Sequence, residues 1–163
     1  MTIQTLEPHL IDSLRQSARE ILETMVFLSP KAIDAAAEEG SSFGDEVIGL
    51  LGFTGTRSGT FVVRTDETMA KTIAAKMLMM EPSELGSFQE AADGFGELVN
   101  MLAGNFKNAW VAAGNQMDLS VPNVIHNGEV SLKSNDAGAL RSRVHVVLDG
   151  GNLDIGVHFE PQY

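Results

Sequence analysis

The chain has 163 residues, 44% of them hydrophobic, enough for one domain with its own core and too short for two ordinary domains. Eleven basic against 22 acidic residues leave a formal net charge of −11, the wrong sign for gathering nucleic acid or anionic lipid by counterion release. With no cysteine, disulfide frameworks, thiolate metal sites and cysteine nucleophiles are excluded, and no apolar run approaches the roughly 18 residues of a membrane span.

The N-terminal segment has two acids before its first Lys or Arg and lacks the continuous apolar stretch of a secretory leader, so a cytoplasmic protein is expected, as one domain over residues 1–163. In residues 10–26, Leu10, Ile11, Leu14, Ala18, Ile21, Leu22, Met25 and Val26 recur at three-to-four spacing, which predicts an amphipathic helix stopped by Ser29-Pro30. Residues 31–44 stay open between a short Ala-rich helix and a Gly/Ser-ended connection. Residues 47–53 and 60–63 are β-branched and apolar, and the Gly55 to Gly59 stretch between them closes a β-hairpin. Asp66 is placed to cap a helix with Met69, Ile73, Ala74 and Met77 inward, ended by Glu81-Pro82. The Met77, Met79 and Met80 cluster reads as core and helix-end packing.

Ser87 with Glu90 has the capping-box spacing, and the helix it opens runs through Ala113 to a stop at Gly114-Asn115. Residues 121–125 read as a strand, followed by a polar, Gly-containing stretch and a second hairpin. A four-residue loop, Asp149-Gly150-Gly151-Asn152, would set Val144 opposite Val157, Val146 opposite Ile155 and Leu148 opposite Leu153, making one side apolar. The other side carries Arg143, His145, Asp154 and His158 and is expected to face solvent or another subunit. A helix followed later by a hairpin occurs twice, the pattern of an internal duplication. The expected fold class is α+β, a two-layer domain whose antiparallel β-sheet has about three helices packed on one face.

At roughly 100° per residue, Phe88, Ala91, Phe95, Leu98, Val99, Leu102, Phe106, Ala109, Trp110 and Ala113 gather on one side of the long helix. Asp93, Glu97, Asn100, Gly104 and Lys107 fall on a stripe about 80° wide, nearly opposite that core side. Glycines 94, 96 and 104 lie within or beside the stripe, each costing up to about 1 kcal/mol of helix propensity. They allow close approach, either of another protein or of neighbouring elements of the same fold. Among other candidates, His145 and His158 share a sheet face without a third ligand, so no metal site is expected there or at His9 or His126. No Gly-x-Ser-x-Gly elbow or phosphate-cradling Gly-x4-Gly-Lys-Ser/Thr motif is present.

The pattern Asp93-x3-Glu97-x2-Asn100-x21-Pro122, with the run from Glu97 to Lys107 and the Gly-rich stretch from Gly52 to Gly59, resembles the CheC/CheX/FliY family of chemotaxis phosphatases over roughly residues 45–160. The place matching the second active helix of CheC-type members, Glu20 to Met25, carries Glu23 where the motif needs Asn, so the resemblance is to CheX-like members with one active helix. It implies dephosphorylation of a CheY-like response regulator that carries an aspartyl phosphate and supplies its own Mg²⁺, with no metal or cofactor bound by this chain. By that resemblance the Asn100 carboxamide orients the attacking water and Glu97 pairs with the partner's active-site lysine. Asp93, Gly104 and Lys107 become partner contacts, and Pro122 a structural residue opening the next strand. CheX-like relatives also imply a homodimer. The alternative on the same fold is a module that binds a response regulator or other signalling domain without catalysis.

Overall fold

The computed structural model describes residues 8–36, 42–132 and 140–161. Helix α1, Pro8–Ile21, buries Leu10, Leu14, Ala18 and Ile21 and continues as one π-helical turn, Leu22–Val26. It ends at Phe27, which takes a left-handed conformation (φ 60°), so the chain has left the helix before Ser29-Pro30. The segment left open in sequence contains strand β1, Ala32–Ala36, while residues 37–41 lie outside the described residues. Its alanines favour helix in isolation, but the edge of a neighbouring strand and the burial of Ile33 outweigh that preference.

A two-residue strand, β2 (Ser42–Phe43), precedes the first hairpin, β3 (Val47–Gly55) and β4 (Gly59–Thr65). Helix α2, Glu67–Met77, is capped as expected, the Met69 N–H donating to Asp66 Oδ1 at 2.7 Å. A 3₁₀ turn, Pro82–Glu84, leads to the long helix α3, Phe88–Ala112. The capping box expected at Ser87 and Glu90 does not form: Ser87 is the N-cap without a side-chain bond, and the reciprocal box is made earlier, by Glu81 and Glu84. The apolar side of α3 is buried from Ala91 to Trp110, whereas Ala113 is exposed, since the helix has outrun the sheet beneath it.

The remaining strands are β5 (Met117–Leu119), β6 (Asn123–His126), β7 (Val130–Ser131), β8 (Leu140–Leu148) and β9 (Gly151–Phe159). Part of the polar stretch before β8, residues 133–139, lies outside the described residues. The main sheet has the order β1-β8-β9-β4-β3-β5, with β6 also paired to β3, and every ladder is antiparallel. Strand β6 opens at Asn123, directly after Pro122, whose missing N–H suits it to the gap between β5 and β6.

The β8–β9 register differs from the expected one. Leu148 pairs with Gly151, Val146 with Leu153 and Val144 with Ile155, around a two-residue Asp149-Gly150 turn with Gly150 at φ 88°. The pairing is displaced by two residues, which leaves each side chain on its expected face: Val144, Val146, Leu148, Leu153, Ile155 and Val157 are all buried.

The order of elements repeats in the way an internal duplication would leave it, apart from β5. After α1 come β1, β2, β3 and β4; after α3 and the extra strand β5 come β6, β7, β8 and β9. Corresponding strands cross-pair, β1 with β8 and β6 with β3, while β4 pairs with β9 and β2 with β7. The two halves therefore exchange a strand, with α2 inserted between them.

The helices cover one face of the sheet, where a single apolar cluster joins α1, α2 and α3 to β1, β3, β4, β8 and β9. The second face is less open than the sequence led us to expect. Ile48, Val62 and Val130 form a smaller buried cluster there, and Arg64, Arg141 and His158 are buried too. His158 is only 8% exposed, while His145 lies further along, with Nδ1 3.0 Å from Asp154, which also bonds Arg143.

Close approach of backbones sets the position of α3. A Cβ on Gly49 of β3 would lie 2.5 Å from Val99, and one on Gly94 would lie 2.7 Å from the Ala74 Cβ and 2.8 Å from its Cα. At Gly96 the neighbours are Pro122 and Val124, whereas a Cβ on Gly104 meets nothing within 4 Å. Gly94 thus serves packing inside the fold, while Gly96 faces neighbours at ordinary contact distance.

Two outcomes follow from this packing. Gly94→Ala should lower stability by about 1 kcal/mol or more, overpacking α2 by more than helix propensity returns, while Gly104→Ala should raise it by up to about 1 kcal/mol. Thermal or urea melts of the two variants read the opposite signs. Burial, with Arg141 and Arg64 nearby, lowers the pKa of His158 from the usual 6.5 to about 4. Between those values the unfolded chain binds a proton that the folded chain refuses, so stability is full above pH 6.5 and declines as pH falls toward 4. Urea melts at pH 7 and pH 5 should show wild type losing on the order of 1 to 2 kcal/mol more than His158→Gln.

Candidate active site

With the inner side of α3 held against β3 and α2, the opposite side points outward. Asp93, Glu97 and Asn100 are exposed, and Gly104 and Lys107 are half-exposed, so the stripe drawn from helical periodicity is present as expected. Glu97 and Asn100 stand one turn apart, with their side chains leaning toward the N-terminus of α3. Neither has a hydrogen bond or ion pair to another described residue. Asp93 accepts a bond from Gln89 Nε2 at 3.0 Å, which orients its carboxylate along the helix.

Glu97 and Asp93 border a groove of about 580 Å³ between the N-terminal half of α3, the end of α2 and the segment leading into β6. Its wall includes Leu78, Gly96 and Pro122. Pro122 therefore has a second place that sequence reading did not assign: besides opening β6, it lines the groove beside Glu97. Gly96 faces it, and a Cβ there would lie 3.7 Å from the proline ring, an ordinary packing distance. Asn100 lies one turn beyond the lining of the groove.

The groove contains two carboxylates and no basic residue in its lining. Such a surface repels a free phosphate ester and favours a cation, so any phosphate it works on must arrive with its own counter-charges. Among the described residues no group of three or more His, Asp or Glu side chains could hold a metal ion. Among the described residues no helix is long and apolar enough to cross a membrane.

The other sequence candidates are tied into the fold. His126 stacks on Phe88 with ring centroids 3.7 Å apart and pairs with Glu67. At the end of α1, Glu23 pairs with Arg19 at 3.4 Å and the Thr24 hydroxyl donates to the Glu20 carbonyl, so this place is a solvated helix end. The residue that sequence reading misplaced is Met79, which is not packed at the helix end but 89% exposed.

Residues 47–143 match the family described as chemotaxis phosphatase CheX, more than half of the chain. The chain is similar to the CheY-P phosphatase CheX of Thermotoga maritima, 24% identical over 130 residues that cover 79% of this chain and 83% of that protein. Its fold matches a CheC-like superfamily protein from Shewanella sp. PV-4 with a TM-score of 0.75 at 25% identity, over 95% of this chain and 99% of that one. It also matches the CheX–CheY–BeF3–Mg²⁺ complex from Borrelia burgdorferi with a TM-score of 0.75 at 20% identity, over 93% and 97% of the two chains. The chain belongs to the CheX family of chemotaxis phosphatases.

Proposed function

We propose that this protein is a cytoplasmic phosphatase that hydrolyses the aspartyl phosphate of a CheY-like response regulator. The observation that carries the reading is the exposed Glu97–Asn100 pair on a helix whose other faces are locked in the core. The Thermotoga relative is a CheY-P phosphatase, and the Borrelia neighbour is a complex with CheY, BeF3 and Mg²⁺. Trifluoroberyllate is a phosphoryl mimic, so that complex has the composition of a phosphorylated receiver with its metal.

In the reaction, water attacks phosphorus in line with the bond to the aspartyl oxygen. A P–O bond to water forms, the P–O bond to the carboxylate breaks, and the leaving carboxylate departs with the bonding electrons. The water proton passes to the phosphate product or to solvent. An acyl phosphate has a good leaving group, so placing the water and holding the charge are the main tasks. The Asn100 carboxamide can both accept from and donate to a water, and its helix fixes the direction in which it does so. Glu97 pairs with the receiver's active-site lysine and fixes docking, while the receiver's Mg²⁺ and lysine balance the phosphoryl charge. That division of labour suits a groove lined by carboxylates alone among its charged residues. Asp93, Gly104 and Lys107 extend the contact along the same stripe.

Mixed in substoichiometric amount with a phosphorylated CheY-type receiver and Mg²⁺, the protein should release phosphate through many turnovers. Binding without acceleration would make it a docking module instead. Asn100→Ala should lower kcat about a hundredfold while keeping most of the affinity. Equal rates for wild type and variant would remove Asn100 from the mechanism. Glu97→Ala should act mainly on docking, raising KM about 30-fold, the equivalent of roughly 2 kcal/mol for a desolvated charge pair.

A further inference from the structure

The groove beside Glu97 has an apolar border for which the proposed chemistry has no use. After Met77 the chain turns through bonds from the Leu78 N–H to the Ala74 carbonyl (3.0 Å), the Met79 N–H to Lys76 (3.2 Å) and the Met80 N–H to Ala75 (2.9 Å). A turn of this kind takes a left-handed residue where glycine fits with least strain, and here Met79 holds it at φ 58°. The Met79 side chain is 89% exposed, and that of Leu78, which lines the groove, is 45% exposed. From the other end of the chain, Pro122 lines the same groove and Val121 before it is 79% exposed. Neither backbone strain nor solubility favours a methionine in this place, and the apolar core does not use it.

We infer that Leu78, Met79 and Val121 form an apolar shoulder that seats the phosphorylated receiver domain, so that an apolar patch beside the receiver's lysine, and not the ion pair alone, decides which receiver is accepted. The inference rests on the reading of Glu97 as the lysine clamp. An ion pair left in water contributes little, and it gains strength when surrounding contacts exclude solvent. Leu78 lines the groove that holds Glu97 and Asp93, Met79 and Val121 each adjoin a residue of that lining, and the groove is charged to attract a cationic side chain. Methionine, unbranched and polarisable, adapts to surfaces that differ in detail. The occupant is thus a receiver that presents a lysine flanked by apolar side chains.

The test compares Met79→Gly and Val121→Ser with wild type. Glycine suits the left-handed position, so Met79→Gly removes the side chain while its melting temperature should stay level or rise. Each variant should raise KM for the phosphorylated receiver about fivefold to tenfold with kcat within about twofold. Each should weaken binding of the receiver loaded with trifluoroberyllate and Mg²⁺ by the same factor. Unchanged KM and affinity in both variants would overturn the inference, as would a change in self-association alone, which would assign the shoulder to a second copy of this chain. If Asn100→Ala turns over as fast as wild type while Met79→Gly still weakens binding, the catalytic reading fails and the docking shoulder stands. A wild-type protein that neither binds nor dephosphorylates the receiver overturns both.

Discussion

The rotational setting of α3 governs the rest of the molecule's function. It is set on two sides by contacts with no spare room, Val99 over Gly49 of β3 and Gly94 over Ala74 of α2. A helix turns about 100° per residue, so a slip of one position would carry Asn100 well off the outward stripe and bring a core residue into water. The buried series from Ala91 to Trp110 holds the helix against such a slip along more than about five turns. The Asn100 amide, proposed above to orient the water, inherits the rigidity of the core beneath it, which a surface loop would not provide.

The chemistry is divided between two proteins. An enzyme that hydrolyses a small phosphate ester needs cations in its own site, and the groove beside Glu97 has none in its lining. Two carboxylates there suit a partner that brings metal and lysine with it. Asn100 is uncharged, so its role depends on direction and reach and not on a protonation state. Such an arrangement gives the phosphatase little to bind except the receiver itself, and under the inference above discrimination falls to the protein–protein surface around the site, including the exposed apolar residues at the end of α2.

The strand exchange between the two halves makes the sheet a shared structure and leaves α1 and α3 as equivalent elements of its cover. Their equivalence stops at chemistry. The end of α1 unwinds into a π turn and its acids are tied to Arg19 or solvated, while α3 keeps regular geometry through the site. On the proposed reading, a duplicated scaffold thus carries one working face, on α3.

Much of this was readable from local pattern. The cap at Asp66, the buried side of α3 and the outward stripe with Glu97 and Asn100 depend on spacing along a single helix, which the chain displays directly. What connects residues distant in sequence was not readable. Shifting β8 against β9 by two residues leaves every apolar side chain on the same face, so hydrophobic alternation could not choose the register; the Asp149-Gly150 turn did. Strand β1 forms because β8 is there to pair with it, and His158 is buried, with Arg141 and Arg64 nearby, on what looked like a solvent face. Glycines 94, 96 and 104 look alike on a helical wheel, yet the first two touch neighbours and the third touches none. By itself the sequence determined that the long helix turns Glu97 and Asn100 outward, since helical periodicity is a local property. Only the tertiary structure decided which glycines are occupied by neighbours, where Pro122 sits and that Met79 stands in water, because each of these is a meeting of segments whose separation along the chain leaves no periodic trace.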